Sequence, residues 1–412
     1  MAKHWTASVV LVGALGMSPA AAGADKQYGP GVTDSEIKIG QTSAYSGPAW
    51  AYGTVSATEV AYVRMINERG GINGRKINLI SLDDGYSPTK TVEQTRRLVE
   101  QDQVLGIFHS LGTAPNAAIQ DYLNEMHVPH FALSGASRFN DPARYPWTIG
   151  VIGSYETEGR IYAKYILQNI QDPKIAVLYQ NDDLGKEYLK GLRDGLGQQA
   201  GRLVVKELSY ELTNPTVAAL AAMGIATVDP QILELKASGA NVLLSATSPK
   251  FSAQAIRKTF DTGWRPAHFL SSTGQSIPAA LVPAGVEKAT GTITASPYKD
   301  PSDPRWASDK GVQDYVAFMK SYFPERDPSD SLTVGGYSLA QIMVYILEQC
   351  GDKLTRENVI YQATHMHDVE FPMLLPGIKL NTSPRNYRGF NQTQLMKFDG
   401  VRWVPFGDIV GE

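Results

Sequence analysis

The sequence has only one cysteine, Cys350, so no disulfide can form within the chain and none stands near the N-terminus to carry a lipid. Charge of either sign is not concentrated anywhere: 38 basic and 41 acidic residues give a net charge of -3, and they alternate along the chain. A phosphate-binding surface needs clustered cations, so nucleic acid is excluded as a partner. Long apolar runs are also missing. The main one, Ala7 to Met17, falls well short of the roughly 20 residues that span a bilayer. No strand is followed by a Gly-x-Gly-x-x-Gly or Walker loop, and no Gly-x-Ser-x-Gly elbow occurs. His365-x-His367 has the wrong spacing for a helical zinc site. These absences lead us to expect no cofactor, no metal and no catalytic residue.

What is present begins with Lys3 and His4, the apolar run, and small residues ending in Ala22-Gly23-Ala24. This order predicts a cleavable signal peptide over residues 1–24 and a soluble periplasmic product without an anchor. Hydrophobic residues at 43% and charged residues at 19% are ordinary for a globular chain, and 412 residues are enough for two domains. Cys350 follows Ile342, Ile346 and Leu347 on one apolar face and reads as a core thiol.

From Ile37 onward short apolar runs alternate with amphipathic stretches. Ile37 to Gly40, Ile77 to Leu82, Val104 to Phe108 and Val128 to Leu133 read as strands, with helices at Glu59 to Glu68, Thr91 to Glu100 and Ala117 to Met126. The pattern restarts at Ile175 to Tyr179 and runs through strands at Leu203 to Val205 and Val242 to Leu244. A third block carries a strand at Gly291 to Ala295, helices near Val312, Gly335 and Glu357, and a closing hairpin around Asp399-Gly400. Such alternation predicts an α/β chain of parallel sheets covered by helices. The Ala-rich stretch Ala218 to Ala226, between two similar Thr- and Pro-containing segments, reads as a surface insertion.

Ligands of open parallel sheets sit beyond the carboxyl ends of the strands. The loops there carry Tyr45, Ser46, Gly47 and Trp50 after the first strand, Ser110, Gly112 and Thr113 after the third, and Ser134, Gly135, Ala136 and Ser137 after the fourth. Hydroxyls and backbone N–H groups of this kind suit a carboxylate or another polar acceptor, although the same residues also cap helices. The second unit offers Asp182 and Asp183 after its first strand and Thr247 before Ser248-Pro249-Lys250. Asp83-Asp84 is expected to brace the following Ser-Pro turn.

Val32-Thr33-Asp34-Ser35-Glu36-Ile37-Lys38-Ile39-Gly40, Asn67-Glu68-Arg69-Gly70-Gly71-Ile72-Asn73-Gly74-Arg75 and Gln180-Asn181-Asp182-Asp183-Leu184-Gly185 together resemble the type I periplasmic solute-binding proteins of the leucine/isoleucine/valine-binding group. The resemblance implies two Rossmann-like, doubly wound lobes joined by a three-crossover hinge. Lobe 1 would span residues 25–148 and 275–377, and lobe 2 residues 149–274 and 378–412. It also implies a monomer that closes on a small solute and presents it to the membrane permease of an ABC importer. The alternative is a ligand-sensing receptor module. By motif, Ser110, Thr113, Ala136 and Ser137 would hold the ligand carboxylate or amine, and Tyr155 would supply a pocket aromatic. Where some amino-acid binders carry a glutamate for the α-ammonium, this chain has Lys250, which would repel an ammonium if it faces the cleft. That departure, with the aromatic loop Tyr45 to Trp50, favours an aromatic or other organic acid over a branched-chain amino acid. The competing reading has Lys250 at the start of its helix, facing outward into solvent.

Overall fold

The computed structural model describes Met1 and residues 26–214, 216, 220, 223 and 226–411. The expected signal segment, Met1 apart, and most of the Ala218 to Ala226 insertion lie outside the described residues. Two separate sheets form the frame. The first places its strands in the spatial order Lys76–Asp83, Glu36–Ser43, Ile107–Phe108, His130–Gly135 and Thr148–Ser154, all parallel. In chain order that is 2-1-3-4-5, a doubly wound sheet whose switch point lies between Glu36–Ser43 and Ile107–Phe108.

The second sheet repeats the scheme. Its order runs Val204–Tyr210, Ile175–Gln180, Val242–Ala246, Ala267–Leu270 and Ile293–Ser296, followed by the antiparallel hairpin Thr393–Phe398 and Trp403–Val410. The strands flanking its switch point are short, apolar and buried on both faces, as Ile175 to Leu178 and Val242 to Leu244 show. Helices cover both faces and account for that composition.

The sheets correct two expected boundaries. Residues 149–154, expected in lobe 2, complete the edge strand of the first sheet, and Ile293–Ser296, expected in lobe 1, pairs with Ala267–Leu270 of the second. The chain therefore passes between sheets after Ser154, again after Ser296, and a third time in the segment leading to Thr393. The alternation assigns no element between Trp147 and Ile175, yet this segment holds both the strand Thr148–Ser154 and the helix Tyr155–Asn169. Its strand contains two glycines and its helix three tyrosines, which blunts either periodicity.

Local chemistry sets the helices that position the cleft. Asp182 accepts a hydrogen bond from the Gly185 N–H and starts the helix Asp183–Leu196, whose Leu184, Tyr188, Leu192 and Leu196 recur every fourth residue and are buried. This helix lies against Tyr155–Asn169 through glycine. A Cβ on Gly159 would stand 2.6 Å from the Tyr188 carbonyl, one on Gly195 2.6 Å from the Ala163 Cβ, and one on Gly191 would overlap the Glu156 carbonyl. Cys350 ends the helix Ser331–Cys350 and is buried.

Because backbone, not a side chain, faces Gly191, Gly191→Ala should destabilise the protein by about 1–3 kcal/mol in denaturant titration. Nothing lies within 4 Å of where a Cβ on Gly201 would stand, so Gly201→Ala should leave stability unchanged or raise it by about 0.4–1 kcal/mol. Equal effects at the two positions would show that the two helices do not meet as described.

Candidate ligand-binding site

The carboxyl ends of the two sheets face each other across a cavity of about 220 Å³. The first lobe contributes Tyr52, Val55, Tyr86 and His109 to Thr113. The second contributes Tyr155, Glu158, Ile161, Leu184, Ser272, Thr273 and Gln275. The passages between the lobes add Ile152 to Ser154, Pro297, Tyr298 and Phe390 to Thr393, and the helix Ser331–Cys350 adds Ser331, Leu332, Gly335 and Leu339. The wall is mostly apolar and aromatic with hydroxyls set into it, as small-molecule sites are.

The loop from His109 to Thr113 is held from several sides. His109 and Gly112 take left-handed φ values of 35° and 107°. Gly112 precedes the helix Thr113–Glu125, which starts without a side-chain cap. Asn116 donates through Nδ2 to the carbonyls of Ser110 and Gly112, which leaves its Oδ1 to accept from His130 Nε2 at 2.7 Å. Burial pushes His130 down to about 3, so that ring is neutral. The Ser110 Oγ accepts the Thr42 N–H at 3.0 Å, and the Thr113 hydroxyl meets the Tyr155 hydroxyl at 3.2 Å across the cleft.

Opposite this loop, the Glu158 carboxylate accepts from the Tyr162 and Tyr188 hydroxyls and from both the N–H and the hydroxyl of Ser272, at 2.5 to 2.8 Å. Burial raises its pKa while these donors oppose the rise. The Tyr155 ring stacks on Tyr188 with centroids 5.1 Å apart. The lobes also touch directly. The Tyr52 hydroxyl donates to the Thr273 carbonyl, Gln180 Nε2 donates to the Tyr86 hydroxyl, and Arg138 pairs with Asp183 at 3.2 Å.

Of the residues singled out from the sequence, Ser110, Gly112, Thr113, Ser134, Gly135 and Tyr155 come together in the cavity wall. The others do not reach it. Tyr45 turns to the sheet edge, where its hydroxyl meets Ser81 at 2.7 Å, and Trp50 is exposed on the surface. Ala136 is buried outside the wall, and Ser137 gives its N–H and hydroxyl to Glu187. Asp182 is spent on its helix cap and on Gln180, Asp183 on Arg138, and Thr247 on the Ser252 hydroxyl at 2.7 Å. Lys250 also stands outside the wall.

Tyr52, Tyr86, Glu158, Tyr298 and Phe390 line the cavity without having been expected. Tyr52 lies two residues beyond Trp50, and the turn Trp50–Tyr52 carries it inward. Tyr86 follows Asp84, whose carboxylate accepts the Tyr86 N–H and the Thr91 hydroxyl; this bracing was legible, but its delivery of a ring to the cleft was not. Tyr298 and Phe390 sit on passages between lobes, where no period marks them.

Glu187 gives the interface a pH dependence. Burial pushes its carboxyl up to about 7, Glu156 and Asp183 add to the rise, and the Ser137 donors oppose it. A carboxyl raised in the folded protein takes up a proton on folding, so its unfavourable contribution is absent below the unfolded value near 4.5 and complete above about 7. The stability of the wild type relative to Glu187→Gln should therefore improve as pH falls from about 8 to about 5 in thermal denaturation. A difference that stays flat over that range would place Glu187 in an ordinary solvated setting.

Comparison with known proteins agrees with this architecture. The profile of the periplasmic binding protein family matches residues 36–400. The Leu/Ile/Val-binding protein homolog 7 of Brucella abortus is 26% identical over 265 residues, and an amino acid binding protein of Pseudomonas aeruginosa is 27% identical over 256 residues. Those alignments cover 60% and 58% of this chain, and the chain spans 61% of the length of each relative. Among solved structures, a branched chain amino acid ABC transporter protein from Thermus thermophilus with bound valine superposes with a TM-score of 0.78 at 16% identity, covering 92% of this chain and 98% of its own. A fatty acid ABC transporter substrate-binding protein from Thermomonospora curvata gives 0.75 at 22%, covering 94% and 95%. Two doubly wound lobes, a cleft at their facing strand ends and a profile match over most of the chain lead to one assignment: the chain belongs to the periplasmic binding protein family and has its type I fold.

Proposed function

We propose that this protein is the extracytoplasmic solute-binding component of an ABC importer, which traps a small carboxylate-bearing solute by closing its lobes and hands it to a membrane permease. The observation that carries this reading is the cavity itself. It is walled by both lobes and by all three passages, so a solute inside would be contacted by both lobes at once. Contacts made only in the shut state are what a ligand needs to shift an open–closed equilibrium. The relatives' descriptions as binding proteins for branched-chain amino acids and fatty acids support transport and leave an organic acid or an amino acid as candidate solutes.

On this reading the protein carries out no chemistry. Glu158, the acidic side chain of the wall, is held by four donors, all of them tyrosine or serine groups rather than a base. Tyr52, Tyr86, Tyr155 and Tyr298 supply apolar area with a polar tip, and the start of the helix Thr113–Glu125 leaves the Thr113 and Ala114 N–H groups for an anion, since Pro115 has none and the Asn116 N–H bonds the Gly112 carbonyl.

A thermal-shift panel of amino acids, aromatic carboxylates, dicarboxylates and short amides tests the reading. A bound solute at about 100 times its Kd should add about 2.7 kcal/mol of stability, and Tyr155→Ala should weaken the same solute about tenfold or more. Absence of any shift across the panel, or a shift that Tyr155→Ala leaves intact, counts against a solute site in this cavity.

A further inference from the structure

Beside the main cavity lies a smaller chamber of about 30 Å³, and the two share three wall residues, Gln275, Tyr298 and Ser331. Tyr298 follows the strand Ile293–Ser296 and Ser331 opens the helix Ser331–Cys350, so three separate stretches of chain meet at this junction. The backbone of Gln275 is fixed, its carbonyl accepting from Trp403 Nε1 at 3.0 Å. Its side chain is not. Gln275 is only 5% exposed, and its Oε1 is buried without a hydrogen-bond partner among the described residues. The other two shared residues are in the same condition. Tyr298 bonds the Ser296 hydroxyl through its backbone N–H, but neither its own hydroxyl nor that of Ser331 makes a hydrogen bond among the described residues. Burial alone pushes the Tyr298 phenol up.

Other polar groups of the wall are used within the protein: the Ser110 hydroxyl by Thr42, the Tyr52 hydroxyl by Thr273, and Glu158 by four donors. A polar group enclosed by protein and left unpaired costs free energy, so three of them at one junction call for a partner that the solute brings. Their chemistry identifies it. The amide oxygen accepts a hydrogen, and the two hydroxyls can each donate one. A hydroxyl has one hydrogen to give and two lone pairs to receive, so a single hydroxyl at the junction can meet all three.

The chamber behind the junction limits what else could fit. About 30 Å³ holds one or two groups the size of a water molecule, which excludes a ring. Asp300 lines this chamber, and Lys299, which also lines it, is already engaged by Asp309 and the Pro372 carbonyl. A second carboxylate would therefore meet the Asp300 carboxyl with no uncommitted lysine beside it. Resting on the reading that the main cavity takes a carboxylate-bearing solute, we infer that Gln275, Tyr298 and Ser331 form a hydroxyl subsite and that the solute is a hydroxy acid. Its hydroxyl donates to Gln275 Oε1 and accepts from the Tyr298 and Ser331 hydroxyls.

The test is calorimetry on the wild type with matched probes: phenylacetate and its 3- and 4-hydroxy and 3- and 4-methyl derivatives, and hexanoate with 6-hydroxyhexanoate, 6-aminohexanoate and hexanedioate. At least one hydroxy acid should bind about tenfold or more tighter than its parent and than the methyl, amino or dicarboxylate counterpart, because the counterpart leaves the three groups unpaired or brings a charge. Tyr298→Phe, Ser331→Ala and Gln275→Met should each cut that advantage about threefold or more, and Tyr298→Phe combined with Gln275→Met should bring the ratio to about one. Since these groups have no partner to lose in the solute-free protein, Tyr298→Phe and Ser331→Ala should leave its Tm unchanged; a clear fall in Tm would mean that the hydroxyls serve the fold and overturns the subsite. The wild-type comparison stands whether or not a variant folds. Equal binding of every hydroxy acid and its parent, a preference for a methyl, amino or dicarboxylate probe, or a ratio untouched by the variants overturns the subsite while leaving a solute-binding cavity. No binding by any of these acids overturns the carboxylate reading and the subsite together.

Discussion

The cleft depends on one packing constraint, the close approach of the passages that join the lobes. Gly153, on the first passage, and Gly389, on the third, lie against each other's strands: a Cβ on Gly153 would stand 3.1 Å from the Phe390 carbonyl, and one on Gly389 would overlap the Val151 carbonyl. Backbone meets backbone there because neither residue carries a side chain. The second passage joins through Tyr298, which bridges to Leu374. Three lengths of chain running side by side bend together more easily than they slide, so the lobes are linked by a hinge. With the passages fixed, the two sets of strand ends must face each other, and the cavity is what remains between them.

Much of the frame was legible because its signal is periodic. Buried strands such as Ile175–Gln180 and helices such as Asp183–Leu196 carry runs or stripes that survive without tertiary information. Helices start earlier than their apolar stripes suggest, as at Pro249–Asp261 and Ser331–Cys350, because a proline at the first position of one and the Asp330 cap of the other extend the first turn beyond the stripe. The boundaries between lobes were not legible. Whether Ile293–Ser296 joins one sheet or the other is decided by its partner Ala267–Leu270, more than twenty residues away in the chain.

The site divides in the same way. Ser110, Gly112, Thr113 and Ser134 lie where strand-end loops were expected and reach the wall. Ser137 and Asp183, of equal promise by residue type, are consumed by Glu187 and Arg138 at the lobe interface. Residue type reveals the capacity to bond, while the neighbour that uses up that capacity is known only once the lobes are docked. Lys250 is the clearest instance: its charge is evident in the sequence, but its place outside the wall is not.

Gly135 ends a strand of the first sheet with a φ of 95°, and the space its missing Cβ leaves is filled by the ring of Tyr155. Tyr155 begins the helix that belongs to the other lobe. Ring and glycine are therefore a lock seat and its bolt, shaped by halves of the molecule that are built on separate sheets. A side chain grown into that seat would overlap the ring and also strain the strand end, whose φ suits glycine. At this position the conformation of one strand end and the contact between the two lobes are set by the same missing side chain.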